Sequence, residues 1–165
     1  MRWRRPTTVP SARGSPAARQ SPKSPRTRPV PGSTTASGYR ASRPWLPLTI
    51  RSGSRSHRFL VEVARSPQEQ ATGLMNRQSL GPDRGMIFPF AEPQVASFWM
   101  KNTLIPLDMI FVRADGTIAN IAANTVPLSL DAVSASEPVT AVLEIAGGRA
   151  AELGIKAGDR VDWPR

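Results

Sequence analysis

The chain has 165 residues, with 22 Lys and Arg against 12 Asp and Glu, a single His and no Cys. The missing Cys excludes disulfides, thiolate metal sites and a Cys nucleophile, and one His cannot build a His-rich metal centre. No apolar run approaches the roughly 20 residues that a membrane-spanning helix needs.

The formal charge of +10 belongs entirely to the first quarter of the chain. Residues 1–44 hold 10 Lys and Arg, 8 Pro and no acid, whereas residues 45–165 hold 12 bases and 12 acids. Because this tail has almost no branched aliphatic residues, we expect it to be disordered. Its prolines argue against a helical transit peptide, and no secretory signal is readable in it. Three explanations stay open: a solvated extension, an arm that binds nucleic acid or an anionic surface without sequence specificity, and a misassigned start.

Residues 45–165 are enough for one domain with a single core. Short apolar runs separated by turn residues predict strands at 48–50, 59–63, 86–88, 95–100, 109–112, 118–122, 139–146 and 160–163. The dipeptide Asp115-Gly116 joins two of these runs and is the strongest hairpin signal in the chain.

Two short helices are predicted between the strands. Ser66-Pro67-Gln68-Glu69 is typical of a helix start, with Ser66 as the cap and Glu69 reaching back to it, and this helix should run to about Leu74 or Met75. A second helical turn follows Gly148 and stops near Gly154. These elements predict a mainly β fold, a β-rich α+β arrangement, in a compact barrel-like or sandwich single domain with one or two short helices.

The densest group of polar residues lies in the loop between the predicted strands 95–100 and 109–112. It combines a cation, an amide and a carboxylate in Lys101, Asn102 and Asp108. A small polar ligand site on a rigid β scaffold requires such a combination. The structural alternative is that Asn102 satisfies turn backbone, Lys101 pairs with Asp108 and Trp99 fills the core.

Other carboxylates and the methionines offer further chemistry. Glu62 and Glu144 interrupt apolar alternation, so we expect them on outward, solvated faces. A small hydrolase or lyase that uses Asp108 with Lys101 or Glu144 is the alternative to a binding protein. The methionines lie inside apolar runs without a neighbouring His or Cys, which indicates core packing rather than copper ligation. We therefore predict no metal and no cofactor.

Several segments together resemble the domain of unknown function 192 family. They are Val61-Glu62-Val63-Ala64, Gly73-Leu74-Met75 with Arg77, Gly85-Met86-Ile87-Phe88, the stretch FWMKNTLIPLDMIF, and LEIAGGRAAELGIKAGDRV. The resemblance covers about residues 48–163, and its signature corresponds to Trp99 to Thr103 and Pro106 to Asp108. It implies a small, mainly β domain, usually found alone and often preceded by an export signal. The resemblance therefore implies an exported or periplasmic location, whereas no secretory signal is readable in this chain.

The sequence thus predicts a non-enzymatic ligand-binding or envelope-associated protein. The residues expected to line its site are Trp99, Lys101, Asn102, Asp108 and Arg77. Lys101 would supply charge, Asn102 directional hydrogen bonds, Trp99 an apolar or sugar-stacking wall, and Asp108 the orientation of the loop. The expected partner is a small polar ligand, whose identity stays open together with the oligomeric state. Nucleic acid is not expected to bind the electrically neutral domain.

Overall fold

The computed structural model describes residues 44–165, so the predicted tail lies outside the described residues except for Pro44. The described part contains nine strands and two short helices. The strands are β1 (Leu46–Ser52), β2 (Arg55–Val63), β3 (Arg84–Gln94), β4 (Ser97–Phe98), β5 (Leu107–Val112), β6 (Ile118–Ala122), β7 (Val133–Ser134), β8 (Val139–Ala146) and β9 (Arg160–Asp162). The helices are α1 (Pro67–Thr72) and α2 (Arg149–Leu153).

Seven of the strands form one curled sheet in the order β6-β5-β8-β3-β2-β1-β9. β1 and β2 form an antiparallel hairpin, and α1 then carries the chain to β3, which pairs with β2 in parallel. The two edge strands of this order, β6 and β9, meet near Gly116. There the Ile118 N–H donates to the Asp159 carbonyl at 2.8 Å, and the Val161 N–H donates to the Gly116 carbonyl at 2.8 Å. The predicted mainly β, barrel-like fold is therefore confirmed.

The inner core follows from the alternation of side chains along each strand. On β1, β2, β3, β5, β8 and β9 alternate residues point into the curled sheet, and each of these strands contributes at least one almost fully buried apolar side chain. The largest of these inward side chains are Leu48, Ile50, Phe59, Ile87, Ile110, Leu143 and Ile145.

A second apolar cluster covers the outer face of the central strands. Met86, Phe88, Met109 and Phe111 point away from the inner core and pack against the segments 96–105 and 133–139, which include the two-stranded sheet of β4 and β7. As a result every residue of β5 is buried on both faces. The Phe88 ring meets the Phe98 ring edge-on, with 5.2 Å between centroids.

The expectation that Glu62 and Glu144 are solvated is wrong. Only 7% of Glu62 and 5% of Glu144 is exposed. Glu62 pairs in register with Met86, and Met86 and Met109 each pair with Glu144, so both glutamates share the outer face of the sheet with these methionines. The second cluster buries that face, which a single strand's alternation does not reveal.

The predicted cap at the start of α1 is confirmed. The Ser66 hydroxyl accepts the Glu69 N–H at 3.1 Å, and the Glu69 carboxylate accepts the Ser66 N–H at 3.0 Å. The helix ends at Thr72, before the predicted end at Leu74 or Met75, because Gly73 takes a positive φ of 48°. β3 also continues past Pro89, whose carbonyl accepts from the Gln70 side chain at 3.0 Å.

Candidate functional site

Two loops that lie about 25 residues apart in the sequence meet on the surface. The Asn76 N–H donates to the Asn102 carbonyl at 2.8 Å, and the Asn102 amide nitrogen lies 3.9 Å from the Met75 sulfur. Asn76 and Asn102 have φ values of 61° and 56°, the left-handed conformation that Asn tolerates better than most residues. The two asparagines thus turn both loops, and both are exposed.

The loop around Lys101 is also held from its other side. The Met100 N–H donates to the Ser129 carbonyl at 2.9 Å, and the Leu128 N–H donates to the Thr103 carbonyl at 3.0 Å. The Met100 side chain is 1% exposed, and the Thr125 hydroxyl lies 3.1 Å from its sulfur. Because its backbone is bonded on both sides, this loop presents its side chains from a fixed scaffold.

Lys101 is exposed at the turn of this loop, and its ammonium lies 5.1 Å from the centroid of the half-buried Trp99 ring. At this distance the ring attracts the cation and holds the flexible side chain over one surface. Within residues 44–165 no ion pair joins Lys101 to Asp108. The charge of Lys101 therefore faces solvent beside the two asparagines.

Arg77 lies one residue beyond Asn76 and forms a two-pronged ion pair with Glu62. Its two terminal nitrogens lie 2.6 and 2.8 Å from the two carboxylate oxygens. The hydrogen bonds and the charge of Glu62 raise the pKa of Arg77, although partial burial opposes them. The pair ties the loop to the buried end of β2, so Arg77 acts as an anchor of this surface.

Asp108 has different surroundings. Its side chain is fully buried, and one oxygen accepts the N–H groups of Asn124 at 2.8 Å and Gly148 at 2.9 Å. The other oxygen accepts the Ala150 N–H at 2.8 Å. Asp108 thus fixes the turn that opens α2 and bonds to backbone rather than to the other predicted site residues.

Asp108 and Glu144 lie on opposite faces of the sheet. Asp108 is the register partner of Ile145, which points inward, while Glu144 is the preceding residue of β8 and points outward. The two carboxylates therefore do not share a surface on which an acid–base pair could act.

The structure brings Trp99, Lys101, Asn102 and Arg77 into one region and adds three residues that sequence reasoning missed. These are Met75, Asn76 and Glu62. The presence of Asn at both turns is a sequence signal for left-handed backbone. The sequence carries no signal that these two turns bond to each other. Among residues 44–165 no three His, Asp or Glu side chains are grouped as a metal site would need. Neither helix of this part is long and apolar enough to cross a membrane.

Comparison with known proteins gives a family and two solved structures. The family model DUF192, described as "Uncharacterized ACR", matches residues 48–163. A protein of unknown function from Novosphingobium aromaticivorans DSM 12444 is 50% identical, with a TM-score of 0.72, over 76% of this chain and 90% of that one. A protein from Sinorhizobium meliloti 1021, described as a "putative transcription regulator", is 41% identical, with a TM-score of 0.72, over 74% of this chain and 95% of that one. No curated protein matches the chain.

Proposed function

This chain belongs to the DUF192 family, an uncharacterised family with no assigned role, and we propose that it is a non-enzymatic domain that binds a small polar ligand. The site is the surface of Asn76, Trp99, Lys101 and Asn102, with Arg77 as its anchor. The observation that carries the proposal is the hydrogen bond of 2.8 Å that joins the two loops at Asn76 and Asn102. This bond supports the proposal because it joins two exposed asparagines, one of which adjoins the exposed Lys101 in the sequence, on hydrogen-bonded backbone.

The chemistry of these groups indicates the ligand class. Lys101 offers a positive charge, and each asparagine offers one amide donor group and one carbonyl acceptor. Hydroxyl groups match amides because both can donate and accept, and a carboxylate matches the ammonium. A hydroxylated carboxylate such as a sugar acid therefore fits this surface, with the Trp99 ring as a wall.

Two substitutions test the site without altering the backbone. Lys101→Ala removes the charge, and Asn102→Gly removes the amide while keeping a residue that accepts a positive φ. Glucuronate and gluconate are titrated against the labelled protein and followed by NMR, and each variant should weaken binding roughly 10-fold. Lys156→Ala and Asn124→Gly are matched controls, because Lys156 is an exposed lysine in another turn and Asn124 is another exposed asparagine with positive φ. Equal affinities for the wild type and both site variants, or no binding of either acid, would show that the site is wrong.

The described domain itself does not favour nucleic acid. Residues 45–165 contain 12 bases and 12 acids, so they provide no net positive charge for binding phosphate backbones. We therefore propose no regulatory role on nucleic acid for this domain.

Association with the envelope is a second candidate function, and one surface favours it. Three apolar side chains of a single loop are largely exposed, with 68% of Val126, 57% of Leu128 and 66% of Leu130 accessible. Leu128 has a φ of 64°, which is unusual for a residue other than Gly or Asn, and its N–H is tied to the Thr103 carbonyl. Apolar side chains held outward in this way can insert into a lipid surface.

Vesicles of neutral phosphatidylcholine in high salt test this second candidate, because the basic tail contributes little attraction under those conditions. The double substitution of Leu128→Asn with Leu130→Ser should reduce the sedimented fraction several-fold. Val95→Ser is the control, since 54% of Val95 is exposed on a different loop. A sedimented fraction unchanged by the double substitution would exclude insertion through this loop.

A further inference from the structure

A groove on the outer side of the β1–β2 hairpin has the composition of a second ligand site. Its volume is about 770 Å³, which is within the usual range for small-molecule sites. The hairpin register places Pro47 opposite Leu60 and Thr49 opposite Arg58, so these four side chains form its floor. None of these residues belongs to the surface around Lys101.

The turn at residues 81–84 forms one wall of the groove. The Leu60 N–H donates to the Asp83 carbonyl at 2.9 Å, which joins the wall to the floor, and the Arg84 N–H closes the turn onto the Gly81 carbonyl at 3.0 Å. A Cβ on residue 81 would lie 3.0 Å from the Arg84 side chain, so glycine at this position avoids a close contact with Arg84.

Arg84 is the strongest indication of a ligand. Its guanidinium lies 4.4 Å from the centroid of the Trp45 ring, which holds the planar group in position. Its Nη1 atom is shielded from solvent and has no hydrogen-bond acceptor among the residues that the structure describes. Buried polar nitrogens are almost always bonded, so this nitrogen indicates an acceptor that a ligand would supply.

The charges of the groove favour an anion. Among the lining residues that the structure describes, the one acid is Asp83, which is paired with Arg149 at 2.9 Å, and Arg149 also donates to the Pro82 carbonyl at 3.1 Å. Arg149 also pairs with Glu152 at 2.9 Å, so Asp83 is counted as a full negative charge. The two arginines Arg58 and Arg84 against this one acid still leave the described lining positively charged. Guanidinium forks match the oxygens of carboxylates and phosphates.

The apolar part of the lining sets the rest of the ligand. Leu60, which is 41% exposed, lies in the lining with Pro47 and Pro82. Trp45, which is 42% exposed, borders the lining through its contact with Arg84. Ring and aliphatic surfaces that stay accessible next to a guanidinium suit a flat, apolar body. We infer that this groove binds a small molecule that carries a carboxylate or phosphate on an aromatic or aliphatic body, with Arg84 as its principal oxyanion contact.

Titration of the full chain with three probes tests the inference. Phenyl phosphate and benzoate carry the two oxyanions, and benzyl alcohol is their neutral counterpart. Binding is followed by NMR through the Trp45 indole and the backbone amides of Arg58 and Arg84. At least one anion should shift these resonances and bind at least 10-fold more tightly than benzyl alcohol, and the tighter anion identifies the headgroup.

Substitution of Arg84 provides a second test of the inference. Arg84→Gln should weaken the bound anion about 10-fold, and Arg84→Lys, which keeps the charge but loses the fork, should weaken it less. Arg55→Gln is the matched control, because Arg55 is an exposed arginine of the same hairpin outside the groove lining. Anion binding by the basic tail would be equal in all variants. Absence of shifts at Trp45 and Arg84 in the wild-type protein at saturating anion, or equal affinity in Arg84→Gln, overturns the inference, and the first of these readouts does not depend on a variant that folds.

Discussion

Replacement of Asp108 by Asn should destabilise the domain more than any surface substitution of similar size. The wild-type carboxylate accepts three backbone N–H groups, two on one oxygen and one on the other, at 2.8 to 2.9 Å. An asparagine has one carbonyl oxygen, which can replace the oxygen that accepts from Asn124 and Gly148. Its NH₂ group then faces the buried Ala150 N–H, so two donors oppose each other where a charged acceptor stood.

The magnitude follows from these contacts. A hydrogen bond to a charged group contributes about 1.5 to 3 kcal/mol, and each buried donor left without an acceptor costs about 1 to 3 kcal/mol. The expected loss in the free energy of unfolding is therefore about 3 kcal/mol, which corresponds to a fall in Tm on the order of 10 °C for a domain of this size. Asp108→Ala should cost at least as much, because it leaves all three donors without the carboxylate.

Urea unfolding followed by tryptophan fluorescence measures this loss. Asp115→Asn is the matched control, since Asp115 also accepts a backbone N–H, that of Thr117 at 2.9 Å, but lies in an exposed turn. Its stability should stay close to that of the wild type because water replaces the lost bond. A loss for Asp108→Asn as small as that of the control would refute the role assigned to the three backbone bonds.

Two further predictions concern ion pairs. Arg77→Met should lower the free energy of unfolding, measured in urea, by roughly 2 kcal/mol, a value reduced from the fully buried case because Arg77 is partly exposed. Adding Glu62→Gln should restore part of this loss, because it removes the unpaired buried charge. An unchanged urea midpoint for Arg77→Met would contradict this prediction. Hydrogen bonds from Arg113 lower the pKa of Glu137 below its ordinary value of 4.5, so the pair stabilises the folded state above that pH and loses its effect as the pH falls through the lowered pKa. The difference in Tm between wild type and Glu137→Gln should accordingly narrow below about pH 4.5, and a difference that stays constant from pH 7 to pH 3 would exclude this coupling.

Local signals account for the features that the sequence alone determined. The β5–β6 hairpin forms around Asp115-Gly116 because Gly116 accepts its φ of 88° and an apolar run lies on each side of the turn. The start of α1 follows from Ser66 and Glu69, whose mutual hydrogen bonds need only three residues of separation. The strand pattern and turn chemistry in residues 45–165 likewise suffice for a mainly β domain, because side-chain period and backbone preference are local properties.

The tertiary structure decided what depends on distant segments. Glu62 and Glu144 are buried because the segments 96–105 and 133–139 cover the outer face of the sheet, and no pattern within β2 or β8 carries that information. Asp108 finds a bonding partner in Ala150, 42 residues away, and so bonds to backbone although its loop position suggested a ligand contact. The sequence identified Lys101, Asn102, Trp99 and Arg77 as polar or aromatic groups of interest, but only the fold joins the two loops that carry them, through the Asn76–Asn102 hydrogen bond. Burial and proximity arise when strands far apart in the chain pair, and that pairing is a property of the whole fold.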